Sequence, residues 1–452
     1  MAGGTSVPDL LGVWARLRES LWFVPSLIVL AAVLLAIGMV EVSALVTSDT
    51  LERWPRLFGA GAEGARSMLS AIAGSMITVA GVTFSITMVA VTQASTQYTP
   101  RILRNFMRDR ANQAVLGIFV GIFAYCLVVL RTIRGEDDSS FVPSLAVLVG
   151  ILMALLGIAV LIFFIHHIAT TLQASEIIAR ISGETGETVD RLFPADMEEG
   201  TNPEASAAAP APAVDTWCPV AAEGTGYVQR ADIRRLVSLA EEHDLVVRLE
   251  HTAGDFVIAG QPVAWFGRDP AAAGRSGPAR GEDDLAGMLR REYAVGAYRT
   301  LDHDPSFGVR QLVDIALKAL SPGINDTTTA VTCVDYLGAV LVRLANRRIE
   351  IRHVGDGGRA RVLTAGPTFE SLVGLATDEI RQHADGNVSV LARQFEALGK
   401  VAAVSRSAAR RHAIAKHVEL VREVVATTVP SRYDRDRLEA AAREAMAAVA
   451  RS

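Results

Sequence analysis

Apolar residues come in long unbroken blocks through the first part of the chain and in periodic steps through the rest. Four blocks stand out. Leu21–Val40, "LWFVPSLIVLAAVLLAIGMV", ends at Glu41. The second lies within Ser67–Pro100, which carries no charged residue. Ala111–Leu130 ends at Arg131, and Ser139–Ile165 is followed by His166 and His167. Each block reaches the length of about 20 residues that a helix needs to cross bilayer hydrocarbon. One such block is compatible with a soluble core helix; four together predict a four-helix transmembrane domain.

Beyond the fourth block the pattern changes. Ser175–Leu192 is amphipathic and predicts a helix leaving the membrane, closing a first domain at 1–193. Pro194–Thr216, "PADMEEGTNPEASAAAPAPAVDT", is rich in Ala, Pro and acid without periodicity, and predicts a flexible linker at 194–216. Residues 217–300 alternate short strand-like runs with turns: "TGYVQ", "LVVRLE" and "AGDFVIAGQPVAWF", with a short helix over Arg230–Glu242. Residues 301–452 return to helical spacing over Pro305–Leu320, Thr327–Asn346, Phe369–His383, Asn387–Leu398, Ser405–Thr427 and Tyr433–Arg451. The expected fold is therefore a four-span α-helical membrane domain followed by a cytosolic α+β domain with a mainly helical end.

The second block raises its own question, because it is crowded with hydroxyls. Gly74, Thr78, Gly81, Ser85, Met88, Thr92 and Ser95 recur in steps of four and three. That spacing places them on one helix face, made almost wholly of small or hydroxylated residues. Three destinations compete: packing inside one subunit, packing about an oligomer axis, or lining a water-filled lumen. No ionisable residue interrupts the block, which disfavours a coupled pump and favours a passive route. In the third block "GIFVG", Gly117 to Gly121, is a small-xxx-small packing pair.

Charge fixes an expected orientation. The connection Arg101–Arg110 carries Arg101, Arg104, Arg108 and Arg110 against Asp109 alone. The positive-inside rule places it in the cytosol, together with both termini and the C-terminal half. Arg101, Arg104 and Arg108 share one face and suit contact with anionic lipid. A net charge of −5 suggests no nucleic-acid partner. Cys126, Cys218 and Cys333 are scattered and suggest neither a disulfide framework nor a zinc site.

The densest polar stretch is Leu301–Gly338. Asp302, His303 and Asp304 have the donor types of a metal site. Asp304 before Pro305 and Asp326 after Asn325 also have the pattern of helix N-caps, which is the simpler expectation for Asp302, Asp304, Asn325 and Asp326. No nucleophile–base arrangement, phosphate loop or H-E-x-x-H pattern occurs, so neither enzyme activity nor a cofactor is expected.

Two resemblances add to these readings. "GDFVIAGQPVAWF" resembles half of a lipoyl/biotinyl-type barrel-sandwich module, which implies a small barrel-sandwich-like β module at 217–300; such modules carry their cofactor on a lysine, and no lysine precedes Lys318, so the cofactor is not carried over. Taken together, "GSMITVAGVTFSITMVAVTQASTQYTPRILRNF", "FFIHHIA", "GDFVIAGQPVA" and "ALSPGIND" resemble a bacterial family of membrane proteins built on domain of unknown function 2254. The family usually has Pro after Ile-Asn-Asp; Thr327 stands here. The resemblance implies an inner-membrane protein with a cytosolic C-terminal region and supplies no activity. The function expected from the residues is an oligomeric passive channel, regulated by its cytosolic part. A non-conducting membrane-anchored scaffold or sensor is the alternative.

Overall fold

The computed structural model describes residues 22–45, 61–97, 109–134, 141–171, 173–193, 214, 216–268, 281–349, 352–354, 360–364 and 366–451. The expected linker, apart from Val214 and Thr216, lies outside them, as do Arg101, Arg104 and Arg108. The chain divides into two compact units, Met1–Gln173 and Ala174–Ser452.

The described residues of the first unit form four helices: α1 (Phe23–Leu45), α2 (Ala62–Gln97), α3 (Arg110–Thr132) and α4 (Ser144–Thr171). The helix α3 is the central post, in contact with the other three. Its Phe119, Ile122, Tyr125, Cys126 and Val129 are fully buried. In lipid, helices associate by close packing more than by the hydrophobic effect, so backbone approach matters. Glycines provide it here. A Cβ at Gly117 would lie 2.9 Å from the Cα of Pro25, and one at Gly121 would lie 3.3 Å from the Cβ of Ala32. The "GIFVG" pair is thus the internal contact between α3 and α1. On α4, Gly150 faces Leu69 and Gly157 faces Met76 and Ile122. The Tyr125 hydroxyl, inside the bundle, donates to the carbonyl of Ala146 at 2.8 Å.

The second unit begins with α5 (Ala174–Leu192), the helix grouped above with the membrane domain. It packs instead on α8 (Pro305–Leu320) and α9 (Thr327–Leu344). Between them lie β1 (Cys218–Ala221), β2 (Gly226–Ala231), α6 (Ile233–Glu242), β3 (Leu245–Leu249), β4 (Phe256–Val257), β5 (Pro262–Arg268), α7 (Glu282–Arg290) and β6 (Tyr293–Gly296). Then follow β7 (Arg352–Val354), β8 (Ala360–Leu363), α10 (Phe369–His383), α11 (Val388–Val404), α12 (Ala408–Thr428) and α13 (Arg432–Arg451).

Among the described residues the strands do not form the expected barrel-sandwich. They make a five-stranded sheet, β1-β5-β3-β8-β7, and a three-stranded sheet, β4-β2-β6. Gly254 and Gly260 turn the chain with positive φ on either side of β4, as the sequence suggests. The strands they separate then part: β4 pairs with β2, while β5 pairs with β1 and β3. The pair β3–β8 is parallel, and it is made by a strand from the supposedly helical end of the chain. Helices α6 and α7 close the core, with Leu236, Leu239, Leu285 and Leu289 buried against Val247, Phe266 and Val362.

Among the described residues five helices are long and apolar enough to cross a membrane: α1 to α4, and α9. The last has the lowest mean hydropathy, 1.2 against 1.8 to 3.1 for the others. It carries Asp335, which pairs with Arg393 of α11 at 3.1 Å. Its C-terminus is closed by Arg410 of α12, which is 5% exposed. The Arg410 guanidinium donates to the carbonyls of Leu344 (3.0 Å), Ala345 (2.8 Å) and Arg347 (2.8 Å), and lies over the Phe369 ring. The Leu344 carbonyl also accepts from the Arg347 amide at 3.1 Å, so the guanidinium matters most to the carbonyls of Ala345 and Arg347, which lie just past the helix end. Replacing Arg410 by Met removes that donor from both. The expected loss is about 3 kcal/mol, the scale of hydrogen bonds to a charged group. It is read as a lowered urea midpoint of the second unit in the full-length protein, and an unchanged midpoint would remove this role.

Candidate functional site

The face singled out on the second span is the first place to look, because its surroundings decide what it does. The helix α2 is about 54 Å long at 1.5 Å per residue, well beyond the hydrocarbon thickness. It has two unlike sides. Leu69, Ala73, Met76, Ala80, Thr83 and Ala90 are buried against the rest of the unit. Gly74, Thr78, Gly81, Ser85, Met88 and Thr92 are all exposed on the opposite side. A Cβ at Gly74 or Gly81 would meet nothing within 4 Å. Among the described residues nothing packs over the stripe. Ser95 continues α2, but its side-chain surroundings lie outside the described residues.

The hydroxyls on this face are turned inward upon their own helix. Thr78 donates to the carbonyl of Gly74 at 2.8 Å, Ser85 to that of Gly81 at 2.9 Å, and Thr92 to that of Met88 at 2.9 Å. A hydroxyl has one proton and two lone pairs, so with the proton committed only acceptor oxygen points outward. The neighbouring helices give the comparison. The exposed residues of α1 include Leu27, Leu30 and Leu34, and those of α4 include Leu152, Leu155, Ile158 and Ile162. Those faces suit lipid tails. The α2 face presents hydroxyl oxygen, methyl groups and bare backbone instead.

A polar junction that the sequence did not announce closes one end of this unit. Asp109 caps α3, its Oδ1 accepting from the Ala111 amide at 2.9 Å. Its Oδ2 meets His167 Nε2 of α4 at 2.6 Å, and Phe163 stacks on the same imidazole. Nothing local signals a pair between residues so far apart in the chain.

The polar residues of the second unit divide into two places. Asp304 and Asp326 lie at opposite ends of α8, about 24 Å apart by its sixteen residues. Asp304 is 3% exposed and caps α8, accepting from the Phe307 amide at 3.1 Å. Its other oxygen accepts from Arg299 Nε at 2.8 Å and Nη2 at 2.7 Å. Burial pushes the Asp304 carboxyl above its usual range, and Arg299 pulls it back. Asp302 enters through its backbone: its carbonyl accepts from Arg191 of α5 at 2.6 Å. Asp326 caps α9, accepting from the amide and the hydroxyl of Thr329 at 3.0 and 2.6 Å, which hold its carboxyl below the usual range. Asn325 reaches this cap through a left-handed conformation, φ 50°. Among the described residues no three His, Cys, Asp or Glu side chains come together as a metal site.

Comparison with known proteins follows the same lines. The family model described as "Predicted membrane protein (DUF2254)" matches residues 18–400. Uncharacterized proteins of Mycobacterium bovis and Mycobacterium tuberculosis are 33% identical over 409 residues, covering 90% of this chain and 76% of theirs. No solved structure matches the chain.

The arrangement at Asp304 is testable. Gly254, at φ 100°, passes so close to the Asp304 carboxylate that a Cβ there would collide with it. Asp304→Asn keeps a good cap and loses the charge opposite Arg299; Asp304→Ala loses both. The Ala variant should be less stable than the Asn variant by about 1 kcal/mol, the usual value of an N-cap. Equal urea midpoints for the two variants would contradict the capping role.

Proposed function

The chain belongs to the DUF2254 family of predicted membrane proteins, and from the open face of α2 we propose that it is an oligomeric passive conduit of the bacterial inner membrane. In this reading several copies place Gly74, Thr78, Gly81, Ser85, Met88 and Thr92 toward a shared interior, with the apolar faces of α1 and α4 toward lipid. What supports it is the contrast between those faces: among the described residues only α2 exposes a hydroxylated stripe, and none of them covers it. Small residues let helices of neighbouring copies approach closely, and outward hydroxyl oxygens tolerate water. The assigned spans are α1 to α4. The helix α9 belongs to a cytosolic unit, because Asp335 and Arg343 lie within it and α5, α8 and α11 cover it. The basic connection Arg101–Arg110 supports a cytosolic location for that unit and both termini by the positive-inside rule. The cytosolic unit then regulates the conduit.

The test combines assembly, access and flux. The protein in nanodiscs should weigh as an oligomer. In a background with the three native cysteines replaced, Ser85→Cys should react with a water-soluble charged thiol reagent, and Leu155→Cys should not. Thr78→Arg should change ion or small-solute flux through reconstituted bilayers. A protein that is monomeric in nanodiscs, or an oligomer that passes nothing while Ser85→Cys stays unreactive, would refute the conduit. The second of these results, with a soluble partner co-purifying through residues 217–452, would support the scaffold reading.

A further inference from the structure

A cavity of 460 Å³ opens between α10 and α12 in the second unit. Its size is that of a site for a small organic molecule. His417 of α12 forms part of its wall and is itself 5% exposed. The hydrogen bonds around this imidazole settle its tautomer. Thr377 Oγ1 donates its one proton to the carbonyl of Val373 at 2.8 Å. The same oxygen lies 3.1 Å from His417 Nδ1, so there it acts as acceptor and Nδ1 carries the hydrogen. Asp378 Oδ1, 3.4 Å from Nδ1, favours the same assignment. The remaining nitrogen, Nε2, bears a lone pair. Burial holds the His417 pKa below its usual value, so the ring is neutral at pH 7. Among the described residues no hydrogen bond is made to Nε2.

Gly374 of α10 sits in front of this nitrogen. A glycine inside a helix costs about 1 kcal/mol relative to alanine, so its presence there has a use to explain. A Cβ on Gly374 would lie 3.8 Å from His417 Nε2 and 3.2 Å from Asp378 Oδ2. Two acceptors therefore flank one small open space. Asp378 Oδ1 is occupied by Arg381 and faces His417, whereas Oδ2 has no hydrogen bond among the described residues. Glu379, also in the wall, is held by Arg310, and Glu370 is held by Lys416 at 2.8 Å. Leu375 and Leu420 supply apolar wall. The space thus offers acceptors at its inner end and hydrocarbon beside them.

We propose that this cavity binds a small primary-ammonium ligand, its –NH3+ group shared between Asp378 Oδ2 and His417 Nε2 and its apolar stem lying along Leu375 and Leu420. A metal ion is the less suitable occupant, because among the described residues no three suitable side chains converge. The site lies within the second unit alone and stands whether or not the membrane helices conduct.

The probe is n-butylammonium, titrated calorimetrically into the full-length protein in detergent, with 1-butanol as the neutral control. Saturable binding of the amine is expected, with the alcohol at least about tenfold weaker, a difference of about 1.4 kcal/mol. Asp378→Asn, nearly isosteric, should weaken the amine by about tenfold or more, and Gly374→Leu should abolish binding by filling the space. Titrating downward from pH 7 should also release the amine once the pH passes below the depressed His417 pKa, since protonated His417 becomes a second cation beside Lys416 and Arg381, opposed by Asp378 and Glu370. No saturable binding of n-butylammonium to wild type overturns the proposal. So does undiminished binding to folded Asp378→Asn, or to Gly374→Leu with a wild-type urea midpoint. Amine binding that persists unchanged at low pH overturns the part given to His417.

Discussion

A hydroxyl in a membrane helix must place its proton somewhere, and hydrocarbon offers no acceptor. In α2 the solution is the same at Thr78, Ser85 and Thr92: the proton goes to the carbonyl one turn back. These exposed hydroxyls thus leave no bare donor, whereas the hydroxyl of buried Thr83 has no hydrogen-bond partner among the described residues. The exposed positions also leave that helix with one face unlike any lipid-facing surface around it. The other membrane helices are arranged so that this face stays open. The central helix α3 holds α1 through Gly117 and Gly121, and α4 holds α2 through Gly150 and Gly157. Every close approach uses up the inward side of α2 and none covers the outward side.

Much of this could be seen in the sequence. The four apolar blocks, the stripe in steps of four and three, and the caps at Asp304 and Asp326 are local patterns, and local patterns have local physical causes. The face to which the stripe turns was not legible. Periodicity says that residues share a side; it does not say which neighbour covers that side. The open environment of Gly74 and Gly81 is a property of the other helices.

The rest escaped for similar reasons. Asp109 and His167 pair across fifty-eight positions, and Asp302 serves through its carbonyl, which any residue has. The helix α7 had a signal that the chain offered plainly, Glu282, Asp283 and Asp284 in its first turn and Arg290 in its last, which suits the helix dipole. The strands β7 and β8 are three and four residues long and adjoin helical segments, too short for periodicity to declare them. The resemblance of "GDFVIAGQPVAWF" to a barrel-sandwich hairpin described the turns well and the sheet poorly. Turn chemistry is set by Gly254 and Gly260, while sheet membership is set by distant partners.

One of those distant partners has a consequence for how the chain comes into being. Val247 of β3 lies beside Val362 of β8, about 115 residues later, with α7, α8 and α9 between them. During synthesis the middle strand of the larger sheet waits with one edge bare while these three helices emerge. Pairing over such a separation is slow, and a bare edge invites association with other chains. The second unit therefore closes late and as a whole, and the interval before β8 arrives is when the newborn chain is most exposed to its neighbours.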